Sequence, residues 1–228
     1  MKVKILTSFL IALMLALSIV KGAPTGASVQ EGEQETGQEG SPGSVETEGG
    51  NITRVNLTAY QITGKWAGFW GNVSGDIRLA DSSGNIFYKW TISDATGGVV
   101  YACNGTVSDW SSSNIQPLYS TDSLLPDFLK EGTDSFNLTF TSQETFTSPS
   151  LTINNVNYTT TYQNNAPGSD FKTYALKTAS GNVLIWAGKV KEDQTSFKGD
   201  TVTADYQVLA GVTSTSGTTT FYFYLELP

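Results

Sequence analysis

The feature that most constrains the fold of this chain is a two-residue alternation of apolar and polar side chains, which recurs from Val55 onward. Successive side chains of a β-strand point to opposite faces of a sheet, so this alternation predicts strands with one buried and one exposed face. Short runs of Gly, Asn, Asp and Ser separate the alternating segments and predict turns. In the C-terminal segment the predicted buried residues are Phe221, Phe223, Leu225 and Leu227, and the predicted exposed ones are Tyr222, Tyr224 and Glu226.

The same spacing predicts strands at residues 55–59 and 136–140, and about ten or eleven strands in all. Only residues 121–131 have the pattern of a helix, which we expect to be short. Charged residues make up 15% of the chain and aromatic residues 11%. The chain is also rich in Ser and Thr, a mixture typical of extracellular β proteins. We therefore expect an all-β fold, most simply a β-sandwich, with a closed β-barrel as the alternative.

A first hairpin can be placed in register around a turn at residues 81–84. Pairing across this turn sets Leu79 opposite Ile86 and Ile77 opposite Tyr88, apolar against apolar. We expect this face to point into the core.

A second hairpin has a similar turn at residues 180–182. The same reasoning sets Leu176 opposite Val183 and Tyr174 opposite Ile185. Trp186 in this hairpin and Trp90 in the first are both expected to be core residues.

The N-terminal residues have the pattern of an export signal. Lys2 and Lys4 precede an apolar stretch at residues 5–20, which is shorter than the roughly 20 residues of a typical membrane-spanning helix. We expect residues 1–22 to be a signal peptide, with a short N-terminal anchor as the alternative. The protein is then secreted or held at the cell surface.

Residues 23–50 predict a disordered acidic spacer. Between positions 22 and 53 there are six Glu and no Lys or Arg, and almost no large apolar residue is present. Such a segment cannot bury enough surface to offset the entropy of ordering it. We expect residues 51–228 to form a single all-β domain.

Composition excludes several classes of function. The net charge of -8 and the absence of a basic cluster exclude nucleic-acid binding. The chain has no His and a single Cys, Cys103, which we expect to be a small buried hydrophobe. Without His, the common nucleophile–base pairs and most zinc sites are excluded, so we expect no metal, no cofactor and no enzyme activity. A glycosidase would need two facing carboxylates, and no spacing among the candidates pairs them: Asp109, Asp127, Glu131 and Glu144.

The most suggestive aromatic residues are Trp66 and Trp70. Unbroken alternation from the first hairpin places both indoles on the outer face with Asp76 and Arg78, as a candidate ligand-binding platform. A β-bulge at a nearby glycine would instead return both rings to the core.

Asn-x-Ser/Thr sequons provide candidate glycosylation sites. They occur at Asn51, Asn56, Asn72, Asn104, Asn137 and Asn157. Three of them, Asn56, Asn72 and Asn137, lie on the predicted polar side of their strands, where a glycan can be accommodated.

Two kinds of binding function fit these observations. The first is an exported cell-surface domain with an adhesive, structural or protein-interaction role, including that of a subunit in an assembly. The second is a carbohydrate-binding module that uses Trp66 and Trp70, and the carboxylate glycosidase is a distant third. The expected partners are a cell-envelope protein or polysaccharide, or a second copy, with membrane contact only through an uncleaved N-terminal segment. If copies assemble by strand addition, residues 23–50 are too polar to donate the strand, which leaves residues 55–61.

Overall fold

A computed structural model describes residues 22–228, so the predicted signal segment lies outside the described residues except for Gly22. Within that range, no helix is both long and apolar enough to cross a membrane.

The described chain is almost entirely β, which confirms the predicted class. Its strands are β1 (Thr25–Gly26), β2 (Trp66–Gly71), β3 (Gly75–Ala80), β4 (Ile86–Ile92), β5 (Val99–Cys103), β6 (Ile115–Pro117), β7 (Ser142–Thr147), β8 (Thr152–Gln163), β9 (Ala166–Thr178), β10 (Leu184–Lys189), β11 (Gln194–Ser196), β12 (Gly199–Ala204), β13 (Tyr206–Gly211) and β14 (Tyr222–Glu226). Two one-turn helices, α1 (Asp127–Lys130) and α2 (Phe136–Thr139), lie between β6 and β7.

One eight-stranded sheet organises the fold. Its strands follow the order β1-β14-β5-β10-β9-β8-β7, and β6 also pairs with β9. Three two-stranded sheets complete the described part: β11–β12, β13–β2 and β3–β4. None of these sheets closes on itself, so the barrel alternative is wrong for the described residues.

Both faces of the large sheet are buried along its central strands. On one face, Tyr101 of β5 and Ile185 of β10 pack in a cluster with Phe146. On the other face, Trp186 of β10 packs beneath β13, and both Trp186 and Cys103 have no exposed surface, as predicted. Strand β13 contacts the large sheet directly: the Leu209 amide donates a hydrogen bond of 3.0 Å to Thr173 Oγ1 of β9.

Both predicted hairpins form, but each is shifted by two residues from the predicted register. Leu79 pairs with Tyr88 instead of Ile86 and Ile77 with Trp90, beyond a β-bulge. In the second hairpin Leu176 pairs with Ile185 and Tyr174 with Ala187. In the first hairpin Ala80 pairs with Ile86, and the bulge between Leu79 and Ala80 adds the second residue of the shift. In the second hairpin the Thr178 amide donates to the Val183 carbonyl, so the loop is longer than predicted. A shift of two preserves which side chains share a face.

The predicted strand at residues 55–59 does not form. Residues 27–65 contain no helix or strand, and Leu57 is 89% exposed. Instead, Thr25 and Gly26, at the start of the predicted spacer, pair with Leu225 and Tyr224 on the outer edge of β14. Strand pairing uses backbone groups, so these polar residues can pair with an open edge of their own sheet.

The predicted strand at residues 136–140 is also wrong, because this segment contains helix α2. The rings of Phe136 and Phe140 stack at 5.0 Å with an interplanar angle of 13°, and both pack against Trp186. Residues four apart share one face of a helix, and Leu138, on the other side, is 62% exposed. The predicted helix at 121–131 is reduced to the four residues of α1.

Candidate interaction surface

The β3–β4 hairpin exposes an unusual number of large apolar side chains. Every residue from 77 to 91 is exposed. The exposed fractions of the apolar side chains are Ile77 58%, Leu79 52%, Ile86 48%, Phe87 85%, Tyr88 56% and Trp90 50%. The expectation that Ile77, Leu79 and Trp90 are core residues is therefore wrong. Strands β3 and β4 pair only with each other among the described strands, so no further strand extends their sheet.

A network around Asp81 shapes the hairpin turn. The Asp81 carboxylate accepts hydrogen bonds from the amides of Ser83 and Asn85, at 2.9 and 2.8 Å, and from the Asn85 side chain at 2.7 Å. Hydrogen bonding, first from the Asn85 side chain and then from its amide, lowers the pKa of Asp81. Asp and Gly in these positions are what a tight loop requires, so the turn is explained without a bound ion.

Both roots of the hairpin are fixed to the body of the domain. Before β3, the Val73 amide donates to Asp205 Oδ2 over 2.7 Å, and the Val73 side chain packs against an apolar cluster. After β4, the buried Ala95 donates its amide to Glu192 Oε1 over 2.6 Å. At Gly75 an added Cβ would lie 2.4 Å from a methyl group of Leu227, so the hairpin leaves the body through a close backbone contact.

The two faces of the hairpin differ in chemistry. Ile77 lies opposite Trp90 and Leu79 opposite Tyr88, which places these four side chains on one face. The Tyr88 and Trp90 rings lie 4.7 Å apart with an angle of 59° between their planes.

Charged residues occupy the opposite face. Arg78 donates to Asp76 Oδ2 over 2.9 Å, and Lys89 Nζ lies 3.8 Å from the same oxygen. The hydrogen bond from Arg78 lowers the pKa of Asp76. Asp76 and Arg78, which the sequence suggested as ligand-binding residues, therefore form an ion pair with each other. The hairpin has two acidic and two basic residues, so its net charge is zero.

The structure does not place Trp66 and Trp70 on a common exposed face. The Trp66 ring lies 5.6 Å from Trp186 and 5.7 Å from Phe140, and its Nε1 donates to the Asp134 carbonyl over 2.7 Å. Only Trp70 matches the outward expectation, with 37% of its surface exposed.

At the other end of β2, the Trp70 ring contacts two neighbouring side chains, Phe197 and Lys198. Its ring meets Phe197 edge-on at 5.4 Å with an angle of 86°, and Lys198 Nζ lies 5.5 Å from the ring centre. This pair offers no two parallel rings on which a sugar chain could lie flat.

The six sequons differ in accessibility. Asn51, Asn56, Asn72 and Asn137 are exposed, and Asn104 is half-buried with its Oδ1 accepting from the Leu184 amide at 2.8 Å. Asn157 is only 8% exposed, and its Nδ2 donates to the Leu118 carbonyl over 2.8 Å. A glycan at Asn157 is therefore incompatible with this fold.

A buried polar network on the inner face of β14 was not predicted from the sequence. Glu226 is 1% exposed and accepts a hydrogen bond of 2.6 Å from the Tyr101 hydroxyl. Burial, and then the neighbouring Glu226 charge, raise the pKa of Tyr101. Burial lowers the pKa of Lys189, while Glu226 and Glu144 act in the opposite direction. At its C-terminal end the polar side of this strand is therefore buried with its hydrogen bonds satisfied, whereas Tyr222 at the other end is exposed.

Glu144, one of the carboxylates considered for catalysis, belongs to an ion pair. Its carboxylate accepts from Lys172 Nζ at 2.8 and 2.9 Å and from the Tyr174 hydroxyl. Burial acts to raise the pKa of Glu144, but the hydrogen bonds from Lys172 and Tyr174 outweigh it and the pKa is lowered. Asp109 accepts from the Ser111 amide and Asp127 from Lys130, so these carboxylates also have protein partners.

The described residues contain no group of three or more His, Cys, Asp or Glu placed to hold a metal ion. A surface pocket next to β2 is lined by Thr63, Lys65 and Asp134 among others. Lys65 Nζ and Asp134 Oδ1 are 2.6 Å apart, so these two charged residues of the pocket form an ion pair with each other. The hairpin is therefore the more distinctive surface.

Comparisons with protein families, with characterised proteins and with solved structures found no match to this chain.

Proposed function

We propose that this chain is an exported cell-surface β domain that binds another protein, in an adhesive or structural role, and that the β3–β4 hairpin is its contact surface. The observation that carries the proposal is one face of the hairpin with four large apolar side chains, each at least half exposed: Ile77, Leu79, Tyr88 and Trp90. Monomeric proteins seldom expose contiguous apolar patches beyond a few hundred Å², and larger patches mark binding sites.

The construction of the hairpin supports this reading. A two-stranded hairpin gains stability when its apolar face packs against another layer. Here both roots are fixed, at Val73 and Ala95, while no residue within 22–228 covers the face between them. A partner would supply that layer and would meet a preorganised surface, which lowers the entropic cost of binding.

The N-terminal part of the chain fits a surface location. The predicted signal segment directs export, and the acidic stretch after β1 has a composition that favours a tether. A tether would hold the hairpin away from the envelope and leave it free to meet a partner.

Carbohydrate binding is the less favoured alternative. The predicted platform of Trp66 and Trp70 is not formed, because the Trp66 ring packs against Trp186. The exposed aromatic pairs are steeply inclined, at 59° for Tyr88 with Trp90 and 86° for Trp70 with Phe197. Flat stacking of a sugar chain would favour rings that face the same way.

The proposal can be tested with two variants of one strand. Trp90→Ala removes an exposed ring from the apolar face, and Thr91→Ala is the matched control on the opposite face. The purified domain is incubated with envelope fractions of the source cells, before and after protease treatment of the fraction. We expect the wild type and Thr91→Ala to be retained, Trp90→Ala to lose retention by tenfold or more, and protease treatment to remove the binding. Equal retention of both variants, or binding that survives protease but not glycosidase treatment, would contradict the proposal.

A further inference from the structure

We propose that the partner of the hairpin is a second copy of this chain, docked face to face across a two-fold axis. This inference rests on the proposed function and names its partner. The two apolar faces, each formed by Ile77, Leu79, Tyr88 and Trp90, would become the two layers of a small sandwich. Stacked sheets pack about 10 Å apart with interdigitated side chains, which suits residues of this size.

Charge favours a second copy over most other occupants. The chain has a net charge of -8, so two copies carry charge of the same sign and repel each other overall. The hairpin is an exception, because its charged residues are Asp76, Arg78, Asp81 and Lys89, which cancel. A neutral apolar face is the surface through which two acidic copies can approach with least repulsion.

Symmetry adds to this argument. In a two-fold dimer the same patch meets itself, so a surface must be complementary to its own copy. A mainly apolar face satisfies that condition with few matched donors and acceptors, since only the Tyr88 hydroxyl and the Trp90 Nε1 are polar side-chain groups on it. The ion pairs of Asp76 with Arg78 and Lys89 lie on the opposite face, where they would remain in water.

The exposed area is sufficient for a reversible dimer. Aromatic side chains present about 150–250 Å² each, so the partly exposed apolar residues of the hairpin offer roughly 400–600 Å² per copy. Two copies would bury on the order of 1,000 Å², at the lower end of specific interfaces. We therefore expect association in the micromolar range rather than a permanent dimer.

A lipid surface is a weaker candidate for the same face. Interfacial binding gains from basic residues beside the apolar ones, because they are attracted to anionic lipids. The two basic residues of the hairpin, Arg78 and Lys89, are instead both close to Asp76.

The chain provides a clean background for a cross-linking test, because its single cysteine, Cys103, is completely buried. Leu79→Cys places a thiol on the apolar face, and Thr91→Cys places one on the opposite face of the same hairpin. The folded mature domain is treated with a short bismaleimide over a range of protein concentrations. We expect a covalent dimer from Leu79→Cys, at a yield at least fivefold above that of Thr91→Cys.

Sedimentation equilibrium of the wild type and of Leu79→Asp gives an independent measurement. We expect the wild-type mass to rise towards twice the monomer value between about 1 and 500 µM, and Leu79→Asp to remain monomeric. Circular dichroism melts of each variant exclude misfolding. A wild type that stays monomeric throughout, or equal cross-linking of the two cysteine variants, would overturn the second-copy proposal.

The outcome of this test is separable from that of the proposed function. If the wild type is monomeric but Trp90→Ala still loses retention on the protease-sensitive envelope fraction, the hairpin binds a different protein. If the wild type is monomeric and binds neutral lipid vesicles, the face belongs to a membrane contact and both proposals are wrong. If the dimer forms but no envelope retention depends on Trp90, self-association is the sole interaction assigned to the hairpin.

Discussion

The same substitution, Leu→Ala, at one exposed and one buried position of the sheets tests whether the hairpin is exposed. Leu79 of β3 is 52% exposed, whereas Leu176 of β9 is completely buried among the side chains of the large sheet. Leu→Ala in a packed core costs about 2–5 kcal/mol, from lost burial and from the cavity left behind. The same change at a half-exposed site removes much less contact and should cost about 1 kcal/mol or less. We therefore expect Leu176→Ala to be at least about 2 kcal/mol less stable than Leu79→Ala.

The measurement is urea unfolding followed by circular dichroism, at protein concentrations below about 1 µM so that any dimer is dissociated. For a domain of this size, each 1 kcal/mol corresponds to about 2–4 °C in thermal midpoint, so the two variants should differ visibly in a melt as well. Equal losses in the two variants would refute the reasoning, because they would show that Leu79 is buried within the monomer. A loss at Leu79 that appears only at high protein concentration would instead support the docked hairpin.

Three further outcomes follow from the described contacts. Trp66→Ala should cost about 3–5 kcal/mol and Trp70→Ala about 1–2 kcal/mol in urea unfolding, because Trp66 packs against Trp186 and Trp70 is partly exposed; equal values would show that both rings share one environment. Glu144 has a lowered pKa, so its contribution to stability is present above its ordinary value of 4.5 and is lost as the pH falls through the lowered value. Glu144→Gln should therefore flatten the loss of stability below pH 4.5, and an unchanged pH profile would exclude this role. Deletion of residues 23–50 removes the short pairing of β1 with β14 and the exposed ion pair of Glu35 with Lys198, and should lower stability by about 1–2 kcal/mol. Loss of cooperative unfolding would instead show that the arm belongs to the core.

The sequence predicted the strands and their faces more reliably than their pairing. Most residues expected to share a face do so, including Ile77 with Leu79 and Tyr174 with Leu176. The exception is Ile86, which pairs with Ala80 across the bulge and so leaves the apolar face. The register was wrong by two residues, because the first hairpin contains a bulge between Leu79 and Ala80 and the loop of the second is longer than predicted. Alternation contains no information about bulges or loop lengths. Local patterns therefore define the two sides of a strand but leave its partner atoms undetermined.

Short segments were predicted least well where a few tertiary contacts override local preference. Residues 136–140 alternate like a strand, but the stacking of Phe136 on Phe140 requires the spacing of a helical turn. Residues 55–59 alternate as well, yet they form no strand among the described residues. Thr25 and Gly26 show the reverse case, since they lack a strand pattern but occupy the open edge of β14.

Burial depends on which distant segment covers a face, and this separates β14 from the hairpin. The polar face of β14 was expected to be wet, but Tyr224 packs at 5.1 Å from Trp110 and Glu226 is enclosed beside Tyr101. The apolar face of the hairpin was expected to be buried, but no described segment packs against it. The first mismatch is resolved within the chain, because the buried Glu226 gains hydrogen-bond partners. The second is not resolved by any described residue, and a fold that leaves Leu79 and Trp90 half exposed retains a favourable free energy of burial that docking of another molecule would release.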